Sequence, residues 1–332
     1  MIVFTAFTLL VGLTGWFHWS DLQQKSLTDW FLDSAGLWVQ GLIVPLLQLT
    51  LLQTLYLQLF PVWHRSLAIS PALAFGLSFI AVDYLYYWNH RLLHSRVWCL
   101  HHVHHTVTTM DVLGTSRNTL WSSFLLVYLW VHGLWIYLLA DPTIYILGVS
   151  LTAALDLWRH SRFGPTGRVY RWLEGWLILP QDHSWHHQRP AGDRADHLVC
   201  NYGANLKLWD RLHGTLYQSS QWPPTLGQTS RLSLWRQLVY PWGNTFATLM
   251  SCHRYSLMPS IESNERLMLI IICVIPFAAL LYCGLVFTTV LTVPAAKAHP
   301  LAFGGIFALI PLVTGAAIWV GPRRNSGHDS AQ

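Results

Sequence analysis

The sequence predicts an all-α protein: an integral membrane helical bundle whose cytoplasmic helical cap holds a histidine-rich di-metal site. Three observations predict it. Of the 332 residues, 53% are hydrophobic and only 11% charged, whereas an ordinary soluble domain carries roughly a quarter charged residues. Apolar stretches recur at the length of about 20 residues that crosses a bilayer. And eight histidines fall into three tight clusters with the spacing of metal ligands.

The expected spans are 1–17, 36–60, 67–88, 120–140, 142–158, 267–291 and 300–321. The first lacks the basic leader of a signal peptide and is expected to be retained. The fourth and fifth meet at Asp141-Pro142, which reads as the turn of a hairpin. From 159 to 266 the chain turns polar and carries most of the arginines, as an extramembrane region does. The organisation expected is therefore N-terminal membrane segments (1–66), a core with its cap (67–218), an interfacial linker around Pro223-Pro224 (219–266), and a C-terminal transmembrane hairpin with a tail (267–332). Nineteen Trp and thirteen Tyr fit the aromatic belts of membrane interfaces.

Basic residues orient this bundle. If 18–35, 89–119, 159–266 and the C-terminal tail share one side, eighteen Lys and Arg lie there and only Arg65 and Lys297 opposite. The positive-inside rule makes the rich side, with the histidines, cytoplasmic. The net charge of +5 is scattered, and no nucleic-acid module accompanies it, so no nucleic-acid partner is expected. The five cysteines contain no C-x-x-C pair, which excludes a zinc ribbon or a disulfide framework.

The clusters are His90 with His94; His101 with His104 and His105; and His183 with His186 and His187. On a helix, positions i, i+3 and i+4 share a face, so each cluster is expected to aim its imidazoles at one point. A straight helix from His90 to His105 would separate its ends by about 22 Å, which predicts a break near Ser95-Arg96. So many donors exceed the needs of one ion and imply two. The glutamates, Glu174, Glu262 and Glu265, form no Glu-x-x-His motif of the soluble di-iron bundles, so the site is histidine-dominated. Imidazole suits iron, copper, nickel and zinc alike, and spacing does not choose among them. Asp83 lies seven residues before His90 on the same stripe of a span, where a carboxylate is a candidate catalytic residue. His18, His64, His132, His253, His299 and His328 stand alone and read as structural.

The run Asp83-x-x-x-Tyr87-Trp88-x-His90-Arg91-x-x-His94, followed by the second and third clusters, Asn201-Tyr202-Gly203 and Trp209-Asp210-Arg211-Leu212-His213-Gly214-Thr215, resembles the fatty acid hydroxylase/sterol desaturase superfamily over roughly residues 75–218. The resemblance implies two iron ions, O2 as co-substrate, and oxidation of an unactivated C–H bond of a membrane lipid. The lipid could be oxidised on its acyl chain or on a headgroup such as an amino-acid-containing one; sterol or fatty-acyl desaturation is the alternative. It also implies a further ligand, His160, with Asp156 four residues earlier as the carboxylate that orients it. His213 departs from the usual Phe and His197 is additional, which leaves the substrate open. Asp210 and Arg211 read as a structural lock. No G-x-G-x-x-G and no haem or iron–sulfur cysteine pattern occurs, so electrons are expected from an external ferredoxin, cytochrome or reductase. A compact chain without appended modules suits a bacterial inner membrane better than the endoplasmic reticulum. A metal transporter and a non-catalytic structural relative are the rival readings; a transporter would place its ligands in mid-span. Oligomeric state is left open.

Overall fold

The computed structural model describes residues 1–240 apart from 96–97, 121, 126, 190–199 and 231. The expected spans 267–291 and 300–321 lie outside the described residues, as do His197, His253, His299 and His328. The described residues are mostly helical and form no strand, only isolated bridges such as Leu67 to Leu139 and Leu177 to Leu206.

The first helix, α1 (Ile2–Phe17), is uniformly apolar apart from threonines, and Thr14 returns its hydroxyl to the Leu10 carbonyl at 2.7 Å. A short α2 (Trp19–Gln23) follows. The second span starts earlier than the hydropathy predicts, because Ser26 and Asp29 form a reciprocal capping box that satisfies two orphan amides at a helix start. From there α3 (Leu27–Ala35), a π-helical stretch (Gly36–Ile43) and α4 (Val44–Leu59) run on as one 33-residue helix. Among the described residues it alone is long and apolar enough to cross a membrane; Ile2–Phe17 and Leu129–Leu138 are shorter apolar helices.

The third expected span begins at Pro71, with Ser70 as N-cap, rather than at 67. It continues through α5 (Pro71–Gly76), a π segment (Leu77–Ala81) and α6 (Val82–Leu93), and stops with His94 as C-cap. The expected chain break after the first cluster is there. Residues 120–140 split into a 3-10 turn (Ser122–Leu125) and α7 (Val127–Leu138); α8 (Thr143–Arg159) follows the Asp141-Pro142 turn, where Asp141 accepts from the Thr143 amide at 2.9 Å. His132 is no lone residue: its Nδ1 and the Tyr145 hydroxyl bond at 2.9 Å and tie α7 to α8.

Beyond α8 come α9 (Gly167–Leu173), α10 (Pro180–His186), α11 (Lys207–Leu212) and α12 (Leu234–Val239). A buried ionic network braces the N-terminal side: Lys25 pairs with Asp33 and, at 2.7 Å, with Asp111, while Arg117 pairs with Asp33 at 2.5 Å and Asp29 at 2.8 Å. Such a network specifies geometry more than it adds stability, and losing one partner typically costs about 3–5 kcal/mol.

Candidate metal centre

Local structure sets where each histidine points. His90 sits in the last turn of α6 and His94 caps it; His183 and His186 lie on α10 and His187 caps it; His160 caps α8. The second cluster is not on an α-helix. His104 and His105 lie in a 3-10 turn (His104–Thr106), and His101 in the turn that follows another (Trp98–Leu100). All nine of these histidines are buried.

Their donor atoms form two groups. His90, His94, His101, His105 and His186 make one; His104, His160, His183 and His187 make the other; within each, the atoms lie within 4.8 Å of one another. This corrects the expectation that each sequence cluster serves one point. The i, i+4 pairs stay together, His90 with His94, His101 with His105, and His183 with His187. The remaining member of the second and third clusters, His104 and His186, crosses to the other group.

Four backbone carbonyls fix four imidazoles. His90 Nδ1 donates to Tyr202 O at 2.9 Å and His186 Nδ1 to Cys200 O at 2.7 Å, both in the first group. His104 Nδ1 donates to Arg117 O at 3.1 Å and His160 Nδ1 to Asp156 O at 2.8 Å, both in the second. A carbonyl only accepts, so each of these rings carries its proton on Nδ1 and a bare lone pair on Nε2. His104 Nε2 and His160 Nε2 nevertheless face each other at 3.3 Å. Two lone pairs cannot bond, and a shared cation resolves that opposition. His186 Nε2, with His94 Nε2 and His105 Nε2, is buried without a partner among the described residues. Buried polar atoms are rarely left so, and this donor set fits metal ions. Burial first, and then neighbouring imidazoles, holds His101, His104, His105, His183 and His187 well below the ordinary histidine range, while burial brings His186 down to about 4. The neutral, ligating form is thereby favoured.

The loop 200–206 is what aims two of those carbonyls. Asn201 has φ of 55°, a left-handed conformation that Asn tolerates better than most residues. Its side chain donates to Asp182 O at 2.8 Å and Tyr217 O at 2.9 Å. The residues on either side, Cys200 and Tyr202, supply the carbonyls for His186 and His90. Two carboxylates hold the rest of the loop. Asp210 accepts from the amides of Tyr202 and Gly203, each at 2.8 Å, and from Thr215 Oγ1 at 2.7 Å. Asp83 accepts from the amides of Ala204, Asn205 and Leu206 at 3.1, 2.8 and 3.0 Å and from Trp209 Nε1 at 2.8 Å.

Both candidate carboxylates have structural partners. Asp83 was expected to be catalytic, but both its oxygens are committed to four donors; it positions the loop that positions His90. Asp156 was expected to orient His160 through its carboxylate. The backbone carbonyl does so instead, because the carboxylate is 3.5 Å from His160 Nδ1 and pairs with Arg159 at 2.5 Å. Asp210 is a turn lock as expected, whereas Arg211 turns away and donates to Gly175 O at 2.5 Å. The carbonyls of Arg117, Cys200 and Tyr202 carry no sequence signal and were missed. A cavity of about 280 Å³ opens beside the site, with His90, His101, His104 and His160 on its wall and Val82 and Val149 among its apolar lining.

Residues 75–215 match the fatty acid hydroxylase family. Similar curated proteins include the alkylglycerol monooxygenase of Danio rerio, 25% identical over 224 residues, which are 65% of this chain and 47% of that protein. The ornithine lipid hydroxylase OlsE of Rhizobium tropici is 29% identical over 148 residues, 42% of this chain and 41% of that protein. Human alkylglycerol monooxygenase is 28% identical over 148 residues, 42% of this chain and 29% of that protein. The chain thus matches less than half the length of each of these relatives. No solved structure matches it.

Proposed function

The chain carries a fatty acid hydroxylase domain over residues 75–215, and from that premise we propose that it is an O2-dependent di-iron hydroxylase of a membrane lipid. One iron would be held by His90, His94, His101, His105 and His186, the other by His104, His160, His183 and His187. Bound there, the pair supplies the O2 activation and hydrogen abstraction that protein side chains cannot perform themselves.

The chain's own groups do the rest. Carbonyls 117, 156, 200 and 202 keep four imidazoles in the Nδ1-protonated tautomer, which fixes ring orientation and raises ligand basicity. Burial excludes water from the histidines, and the cavity brings a C–H bond alongside them. Hydroxylation takes one oxygen atom into the lipid and reduces the other to water, which consumes two electrons and two protons per turnover. We assign those electrons to an external ferredoxin, cytochrome or reductase. The three named relatives, two alkylglycerol monooxygenases and an ornithine lipid hydroxylase, support a lipid substrate and hydroxylation rather than desaturation. The basic asymmetry of the sequence supports a site on the cytoplasmic face of a multi-pass membrane protein.

The opposed lone pairs of His104 and His160 carry this reading, because a resident cation between them is the simplest reason for that geometry. They weigh against a transporter, which needs a site that opens. Two measurements test the proposal together. Elemental analysis of the purified protein should find two irons per chain, and lipid mass spectrometry of cells with and without the gene should find a lipid gaining one oxygen. Zinc alone, or a lipid losing only two hydrogens, would replace the hydroxylase with another assignment.

A further inference from the structure

Arg159 is 1% exposed, one of the largest fully buried side chains of the described residues. Its Nη2 is satisfied by Asp156 at 2.5 Å. Its Nε and Nη1 are buried with no hydrogen-bond partner among the described residues. The side chain lines the same cavity as His90, His101, His104 and His160. Asn89, 3% exposed on that wall, leaves its Oδ1 without a partner too. An unsatisfied buried donor on a charged group costs more than one on a neutral group. A guanidinium is retained in an otherwise mostly apolar pocket when something in the functional cycle accepts its hydrogen bonds.

We propose that Arg159 recognises the substrate, its Nε and Nη1 gripping a carbonyl oxygen at the polar end of the lipid while the chain lies along the apolar lining. The planar fork suits an sp² oxygen better than an ammonium would. Asp156 already offsets the positive charge, so an uncharged ester or amide carbonyl suffices and no anion is required. Asn89 Oδ1 provides the matching acceptor for an N–H or O–H of the same polar end. His160 is the next residue in the chain and borders the same cavity. A carbonyl held at Arg159 therefore brings the carbons beside it against the histidine groups, and oxidation falls near the polar end rather than deep in the acyl tail. This inference deepens the hydroxylase reading and rests on it for the site of oxidation, though not for recognition.

The test measures binding apart from turnover. The full chain in lipid nanodiscs, its metal content recorded, is loaded with a fluorescent acyl probe and titrated with methyl palmitate or with 1-chlorohexadecane, a neutral chain lacking a carbonyl. The wild-type protein should bind the ester about tenfold or more tightly, the equivalent of one charge-assisted hydrogen bond. Arg159→Leu should lose that preference at unchanged metal content. A preference persisting in Arg159→Leu overturns the proposal. Should that variant fail to fold, the wild-type protein decides: equal affinity for the two ligands overturns the proposal, and the tenfold preference sustains it. A wild-type protein that prefers the ester yet carries no iron would sink the hydroxylase reading and leave carbonyl recognition standing.

Discussion

His104 and His160 meet Nε2 to Nε2 at 3.3 Å while each commits its Nδ1 proton to a backbone carbonyl. The two residues come from a 3-10 turn and from the end of α8, so the encounter is tertiary. Each carbonyl forces a lone pair toward the other ring, and the protein has in effect built a site for positive charge from neutral parts.

Single-histidine variants test each group in turn. His186→Ala removes a donor of the first group and His104→Ala one of the second. Each should lower bound iron and cut turnover beyond the roughly 10–100-fold that losing an outer-shell partner costs, with membrane insertion intact. Iron per chain and turnover, both normalised to folded protein, check this; wild-type activity in either variant would refute the di-metal assignment.

His160 and Asp156 should behave very differently. His160→Ala should be as damaging as losing a histidine of the three clusters. Asp156→Asn keeps the carbonyl that orients His160 and still offers an oxygen to Arg159. Its loss of activity should stay below the ~10-fold floor of an outer-shell defect. A severe defect in Asp156→Asn at normal stability would return the carboxylate to the mechanism.

Asp83→Asn should act on stability. One of the two acceptor oxygens becomes an N–H group facing donors, and each buried donor left unsatisfied costs about 1–3 kcal/mol. Denaturant unfolding of metal-free protein should therefore show a clear loss, followed by weaker iron binding. Unchanged stability with abolished turnover would make Asp83 catalytic after all.

At Asn201 the comparison is between Gly and Ala. Both lose the bonds to Asp182 O and Tyr217 O, but Ala also bears the left-handed backbone, about 1–2 kcal/mol for an ordinary residue. Asn201→Ala should be the less stable of the two in thermal unfolding. The reverse order would show that φ is not what restricts the position.

Orientation is open to reporters. Fusions near Gln228 and after Gln332 should read cytoplasmic, and one near Ala296 external, as the eighteen-to-two distribution of Lys and Arg requires. An external signal at Gln228 would reverse the membrane orientation and the proposed electron supply.

The clustered histidines were legible because imidazoles at i, i+3 and i+4 are a local pattern, and the helix end after His94 was legible from length alone. Which histidines share a centre was not. That depends on how α6, α10 and the 3-10 turns meet, and His104 and His186 cross between groups for reasons no local spacing contains. The partners of Asp83 and Asp156 were not legible either: a carboxylate in sequence advertises chemistry, whereas its partners here are loop amides 121 to 123 positions away and a neighbouring guanidinium. Backbone carbonyls are invisible in a sequence altogether. The start of α3 at Leu27 was missed, because the capping box of Ser26 and Asp29 sets it and hydropathy does not register a cap.

The crossing of His104 and His186 ties the two histidine groups together. Neither group is a module: the 3-10 turn that carries His104 also carries His105, and α10 carries His183 and His186, so each element serves both groups. Were metal to fill either group, it would fix backbone that the other group shares, so the entropy of ordering those segments would be spent largely at the first event. Occupancy should therefore be cooperative, and the half-filled molecule should be the scarcest species in any titration with metal. The same linkage runs in reverse, so that a chelator able to extract one ion loosens the grip on its neighbour, and the protein empties as a pair.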